Sequence, residues 1–145
     1  VIDMDQSMSR ELFFKQISRT AAPFPDIDSA TVFRLLTERE KEVSTVLAPG
    51  IAVPHIIIPG KDRFAMLLVR NREGIIFSPE QPGVFAAFVL TGSRDQRLFH
   101  LQALSEIAQV VMDPGFEKKW MRAKSESGLK QILLANRQRR NTNLS

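Results

Sequence analysis

Apolar positions repeat at helical spacing over residues 9–20, where Leu12, Phe13 and Ile17, with Phe14 beside them, form one face and Ser9 stands in the N-cap position. The prolines at 23 and 25 end that helix. A second helical pattern opens at Asp26-Ile27-Asp28, with Asp28 or Ser29 as cap. It turns Val32, Phe33, Leu35 and Leu36 inward and closes on the charged run Glu38-Arg39-Glu40-Lys41-Glu42. After Val43 the period changes. Residues 44–47, 51–53, 64–69 and 84–90 are β-rich runs separated by Pro49-Gly50, Pro59-Gly60 and the loop 78–83. Helical spacing returns over 97–112 through Leu98, Leu101, Leu104, Ile107, Ala108 and Val111. Asp113-Pro114 reads as an N-cap and helix-starting proline for a helix through Phe116 and Trp120, and residues 125–134 supply the last helix. Two helices, a group of strands and then helices, with no repeat and no internal linker, predict a single-domain layered α/β fold: a central mixed β-sheet flanked by helices.

Length and composition fit that reading. A chain of 145 residues is long enough to bury roughly 68% of its unfolded surface around one core. Its hydrophobic share of 43% and charged share of 25% exclude disorder as the main state. Without cysteine there is no disulfide framework, thiolate metal cage, iron–sulfur cluster or cysteine nucleophile, which suits a reducing compartment. The longest apolar runs, over 51–58, 64–69 and 84–90, have strand lengths, far from the ~20 residues of a spanning helix. Val1-Ile2-Asp3-Met4-Asp5 has none of the marks of a secretory signal and lacks an initiator Met; we expect a domain excised from a longer polypeptide or a processed chain.

The net charge of +4 is unevenly placed. From Lys118 onward eight basic residues face Glu126 alone, so the preceding part of the chain is net acidic. That distribution, and the lack of a nucleic-acid-binding motif, argue against a nucleic-acid partner. Residues 1–136 are expected to form the domain and 137–145 a basic polar tail. The Arg137-Gln138-Arg139-Arg140 stretch reads as a solvated helix end with a frayed tail, or as a contact for phosphates or anionic lipid heads.

Candidate chemistry is sparse. His55 and His100 are the two histidines. His55 follows Pro54, which holds its predecessor extended and delivers the imidazole at a strand end or loop start; it is a placed nucleophile or a hydrogen-bonded cap on a buried strand. His100 lies in the first turns of a helix beside Leu98, Phe99 and Leu101. Arg39, between Glu38 and Glu40, has the look of an exposed helix-end charge. No Gly-rich phosphate loop ending in Lys-Ser/Thr appears.

The stretch Leu35-Leu36-Thr37-Glu38-Arg39-Glu40-Lys41, then Ser44-Thr45, then Gly50-Ile51-Ala52-Val53-Pro54-His55 resembles the fructose/mannitol-type enzyme IIA domain of the bacterial phosphoenolpyruvate-dependent sugar phosphotransferase system. That family includes a nitrogen-regulatory branch and transporter-fused versions. Glu73-Gly74-Ile75-Ile76-Phe77 and His100-Leu101 with Leu104-Ser105 and Ile107-Ala108 resemble two further family stretches, so the likeness runs from about Leu12 to about Leu134. It implies that His55 accepts a phosphoryl group from a histidine-containing phosphocarrier protein and passes it to an enzyme IIB, with no nucleotide, cofactor or metal required. Arg39 would neutralise phosphoryl oxygens, His100 would act as donor or charge stabiliser, and Ser44 or Thr45 would add a hydroxyl to the phosphate site. It implies a cytoplasmic location, or one at the cytoplasmic face of the inner membrane within a larger protein. The alternative it carries is a non-transport regulatory module fused to a membrane transporter such as a cation/proton antiporter. One departure stands out: Ile56-Ile57-Ile58 follow where the family commonly has a small residue and often Arg. They are expected to put exposed apolar groups at the rim of the site, covered by the rest of a larger protein or serving as a docking face.

Overall fold

A computed structural model describes the backbone of residues 1–20, 24 and 26–143, and side chains within that set as far as Leu134. The prolines read as ending the first helix, and the side chains of the basic tail, lie outside the described residues. Seven strands form one mixed sheet: β1 (Ile2–Met4), β2 (Met8–Ser9), β3 (Val46–Ala48), β4 (Ile51–Ala52), β5 (His55–Ile58), β6 (Phe64–Ile76) and β7 (Val84–Ser93). At its centre β6 and β7 pair antiparallel; β1 and β2 run parallel to β6, β4 and β5 run parallel to β7, and β3 is antiparallel to β4. The helices are α1 (Arg10–Thr20), α2 (Ser29–Glu42), α3 (Arg97–Val111), α4 (Phe116–Arg122) and α5 (Glu126–Asn143), with a 3₁₀ turn at Arg94–Gln96 leading into α3.

Both sheet faces are covered. Phe13, Phe14, Ile17, Val32 and Leu36 of α1 and α2 pack on Ile56, Ile58, Val69, Ala87 and Val89. Ile107, Trp120 and Leu129 of α3, α4 and α5 pack on Ile51, Leu68, Ala86, Phe88 and Leu90. Alternate residues of β7 therefore serve opposite cores, and the strand reads as a continuous apolar run rather than an alternating one.

The caps agree with the sequence. Ser9 Oγ accepts from Leu12 N at 3.2 Å, and Asp28 Oδ1 accepts from Thr31 N at 2.7 Å. Several other expectations are corrected. Phe13, Phe14 and Ile17 form the inner face of α1, which leaves Leu12 exposed. The buried face of α3 runs through His100, Ala103, Ile107 and Val110, so Leu98 and Leu101 flank it and stay exposed. Pro114 does not start α4: Asp113 Oδ1 accepts from Gly115 N, Asp113 O accepts from Phe116 N, and the helix begins two residues later at Phe116. The last helix continues beyond residue 134 to Asn143.

Besides the short β2 and the strand β5 that opens at His55, two features of the sheet were not legible in the apolar pattern. The first, β1, pairs with β6 in the register Asp3↔Arg70. The second, β6, does not stop at Val69 but continues through Arg70-Asn71-Arg72-Glu73 to Ile76 with an irregular register after Arg70. Arg70 is fully buried there, which is costly unless its donors are all engaged. Each of its three nitrogens is: Nε and Nη2 hold the two carboxylate oxygens of Asp3, and Nη1 donates to Trp120 O at 2.8 Å and Ala123 O at 2.6 Å. Gly74 completes the bend at φ 94°, and a Cβ there would lie 2.9 Å from Gly83 Cα.

Candidate functional site

Three elements meet at His55. Gly50, at φ 82°, turns the chain from β3 into β4. Backbone bonds from Phe85 N and Ala86 N to Gly50 O, and from Leu90 N to Pro54 O, then seat the segment on β7. His55 opens β5 opposite Leu90. Along β5 the side chains alternate: Ile56 and Ile58 are buried in the α1/α2 core while His55 and Ile57 face the other way. The expected rim of three exposed isoleucines is thereby corrected to one, Ile57, because the strand period turns its neighbours inward.

The imidazole is held at both nitrogens. Nδ1 lies 2.9 Å from Val53 O, and Nε2 lies 3.2 Å from Arg39 Nη2. A carbonyl only accepts and a guanidinium only donates, so the pair of contacts selects the tautomer protonated at Nδ1 with its lone pair on Nε2. Arg39 itself is steadied by a 3.0 Å bond from Nη1 to Val43 O at the end of α2.

His100 comes from the first turns of α3 and is 6% exposed. Its ring lies edge-on to His55 at 6.5 Å between centroids and edge-on to Phe64 at 5.5 Å. Burial, and secondarily the neighbouring His55, hold its pKa below the ordinary histidine value. Its Nε2 is buried without a hydrogen-bond partner. Space for this ring is made by Gly92 on β7: a Cβ there would lie 3.4 Å from His100 Cε1, 3.3 Å from Phe64 Cδ2 and 3.1 Å from Arg63 O.

Thus Arg39, His55 and His100, far apart in sequence, are brought together. Ser44 and Thr45 sit differently. Ser44 is exposed and its Oγ accepts from Val46 N. Thr45 is buried and gives its hydroxyl proton to Glu40 Oε2 at 2.6 Å, so that proton is not free for a phosphate. Nothing in the sequence singles out Glu40 or Gly92: Glu40 stands in a charged helix end, yet it is buried. Among the described residues no cluster of three or more His, Cys, Asp or Glu is arranged to hold a metal ion, and no helix is long and apolar enough to cross a membrane.

Comparison with known proteins identifies the fold and the family. The chain is 26% identical over 126 residues to a nitrogen regulatory protein of Bradyrhizobium diazoefficiens, covering 86% of this chain and 82% of that protein. It is 30% identical over 99 residues to the mannitol-specific EIICBA component of Vibrio cholerae, a match that takes up 66% of this chain and 15% of that longer protein. The crystal structure of nitrogen regulatory protein IIA-Ntr from Neisseria meningitidis superposes with a TM-score of 0.81 at 27% identity, covering 91% of this chain and 90% of that one. Residues 1–136 match the family described as phosphoenolpyruvate-dependent sugar phosphotransferase system, EIIA 2, and the chain belongs to that family.

Proposed function

We propose that this chain is a phosphoryl carrier whose acceptor atom is Nε2 of His55. The carrying observation is the pair of contacts on one ring, with Nδ1 on a carbonyl and the Nε2 lone pair facing a cation. Phosphoryl transfer asks a protein mainly for in-line positioning and neutralisation of the phosphoryl oxygens, and a neutral imidazole is a competent nucleophile near pH 7.

The Nε2 lone pair attacks phosphorus on a protonated phosphohistidine of the phosphocarrier protein. The donor's N–P bond breaks, its electron pair stays on the donor ring, and that ring leaves as neutral imidazole. His55 becomes a phosphorylated imidazolium whose Nδ1–H remains on Val53 O. Arg39 transfers its contact from Nε2 to a phosphoryl oxygen, and the unpartnered Nε2 of His100 gains an oxygen neighbour. The reverse sequence delivers the group to an enzyme IIB or to a regulatory target.

Incubation with phosphoenolpyruvate, the general phosphotransferase enzyme and the phosphocarrier protein should add one acid-labile, base-stable phosphoryl group. His55→Ala should abolish it, and Arg39→Ala should slow it by ~10²-fold or more. An unlabelled wild-type chain under conditions that label another enzyme IIA would overturn the reading. The nitrogen-regulatory likeness over most of the chain favours a second one, a regulatory module; the short share of the mannitol component occupied by its match makes fusion to a transporter part of that reading. Runs of ~20 apolar residues in the reading frame adjoining this chain would support the fused version.

A further inference from the structure

The two residues that end up controlling the two nitrogens of His55 are neighbours on one helix. Arg39 reaches Nε2 directly. Glu40, about 100° further round α2, turns inward and spends both carboxylate oxygens on Thr45: Oε1 accepts from Thr45 N at 3.0 Å and Oε2 from Thr45 Oγ1 at 2.6 Å. Thr45 O in turn accepts from Val53 N at 2.9 Å, and Val53 O is the acceptor for His55 Nδ1. A carboxylate that is 7% exposed is expensive to keep in a protein unless its hydrogen bonds are made. A helix-end glutamate with no role would remain in water.

We propose that Glu40 is a positioning residue for phosphoryl transfer: through Thr45 and Val53 it fixes the carbonyl that holds the proton on His55 Nδ1, leaving Nε2 bare. Free histidine favours the opposite tautomer, protonated at Nε2, which has no lone pair there to offer phosphorus. The protein therefore has to impose the reactive form, and a carbonyl displaced by a fraction of an ångström loses that hold. The effect on transfer rests on the phosphoryl-carrier reading above; the effect on the ring does not.

The test is ¹⁵N NMR of the unphosphorylated protein, which separates a protonated from a bare ring nitrogen, run beside the rate of labelling by the phosphocarrier protein. Wild type should show a protonated Nδ1 and a bare Nε2. Glu40→Ala, with Arg39 still at Nε2, should bring the two signals closer together and cut the transfer rate roughly 10- to 100-fold. Glu40→Gln keeps both contacts with Thr45, one with its direction reversed, and should restore the separated signals and most of the rate. A folded Glu40→Ala protein with the wild-type pair of signals, or a Glu40→Gln protein no better than Glu40→Ala, overturns the proposal. If Glu40→Ala does not fold, Thr45→Val decides: it keeps the backbone N–H but loses the 2.6 Å bond, and unchanged ring signals would refute the inference. A wild type that shows the expected ring signals yet is never labelled would sink the carrier reading alone.

Discussion

His100 is an ionisable side chain kept in a place that favours its neutral form, and this has a consequence for stability. Its folded pKa is lowered, first by burial and then by His55, from an ordinary value of 6.5. Below that value the unfolded chain takes up a proton that the folded chain refuses, so stability is full above about pH 6.5 and declines as the pH falls. Urea midpoints followed through the fluorescence of buried Trp120 should fall between pH 7 and 5.5, and His100→Gln should flatten that slope; an unchanged slope would show that other groups carry it. At this scale the sequence was informative where chemistry is rare. Two histidines, one of them delivered by proline, and an arginine at a family position were enough to bring out Arg39, His55 and His100. Glu40 was not legible, because a charged run at a helix end has the same appearance whether its members face water or one of them turns inward to Thr45.

Among the elements, the strands and helices were found where their period was clean and missed where burial broke it. The four-residue strand carrying His55 has apolar residues on both faces although only one of those faces is buried in the core, and the run Ile56-Ile57-Ile58 does not say which. The same ambiguity rotated the expected inner face of α3, whose leucines at 98 and 101 remain at the surface beside the buried His100. Strand β7 supplies the space for that ring at Gly92, opposite Ile57 on β5 and Phe64 on β6. Gly92→Val should crowd Arg63 O, Phe64 and His100 at once and destabilise the fold by about 1–3 kcal/mol. The same substitution should disturb the His100 ring resonances more than those of distant Leu129. A Gly92→Val protein with wild-type stability and wild-type His100 resonances would show that the strand has slack there.

For the molecule as a whole, the tie that joins its first strand to α4 is Arg70, which links Asp3 on β1 to the carbonyls of Trp120 and Ala123 at the close of that helix. Asp3 responds in kind: the hydrogen bond from Arg70 holds its carboxyl below the ordinary aspartate range. Arg70→Met strips those three groups of their common donor. The loss should be about 1–3 kcal/mol, since the carbonyls are left without a donor while Asp3 can turn to water, read as a lower urea midpoint and faster amide exchange in β1; exchange in β1 no faster than in wild type would show that the strand is held by its backbone ladder alone. None of this tie could be read from a sequence in which Arg70-Asn71-Arg72-Glu73 looks like the end of a strand, since only the fold reveals a carboxylate 67 positions away. That separation also sets an order of events on the ribosome. At ~5–20 residues per second, Asp3 waits about 3–13 s for residue 70 to be made. Strand β1, which is parallel to β6 and so cannot reach it by a hairpin, therefore has to remain unpaired while the next 67 residues are synthesised, and its Ile2 and Met4 have no sheet to pack on throughout that interval.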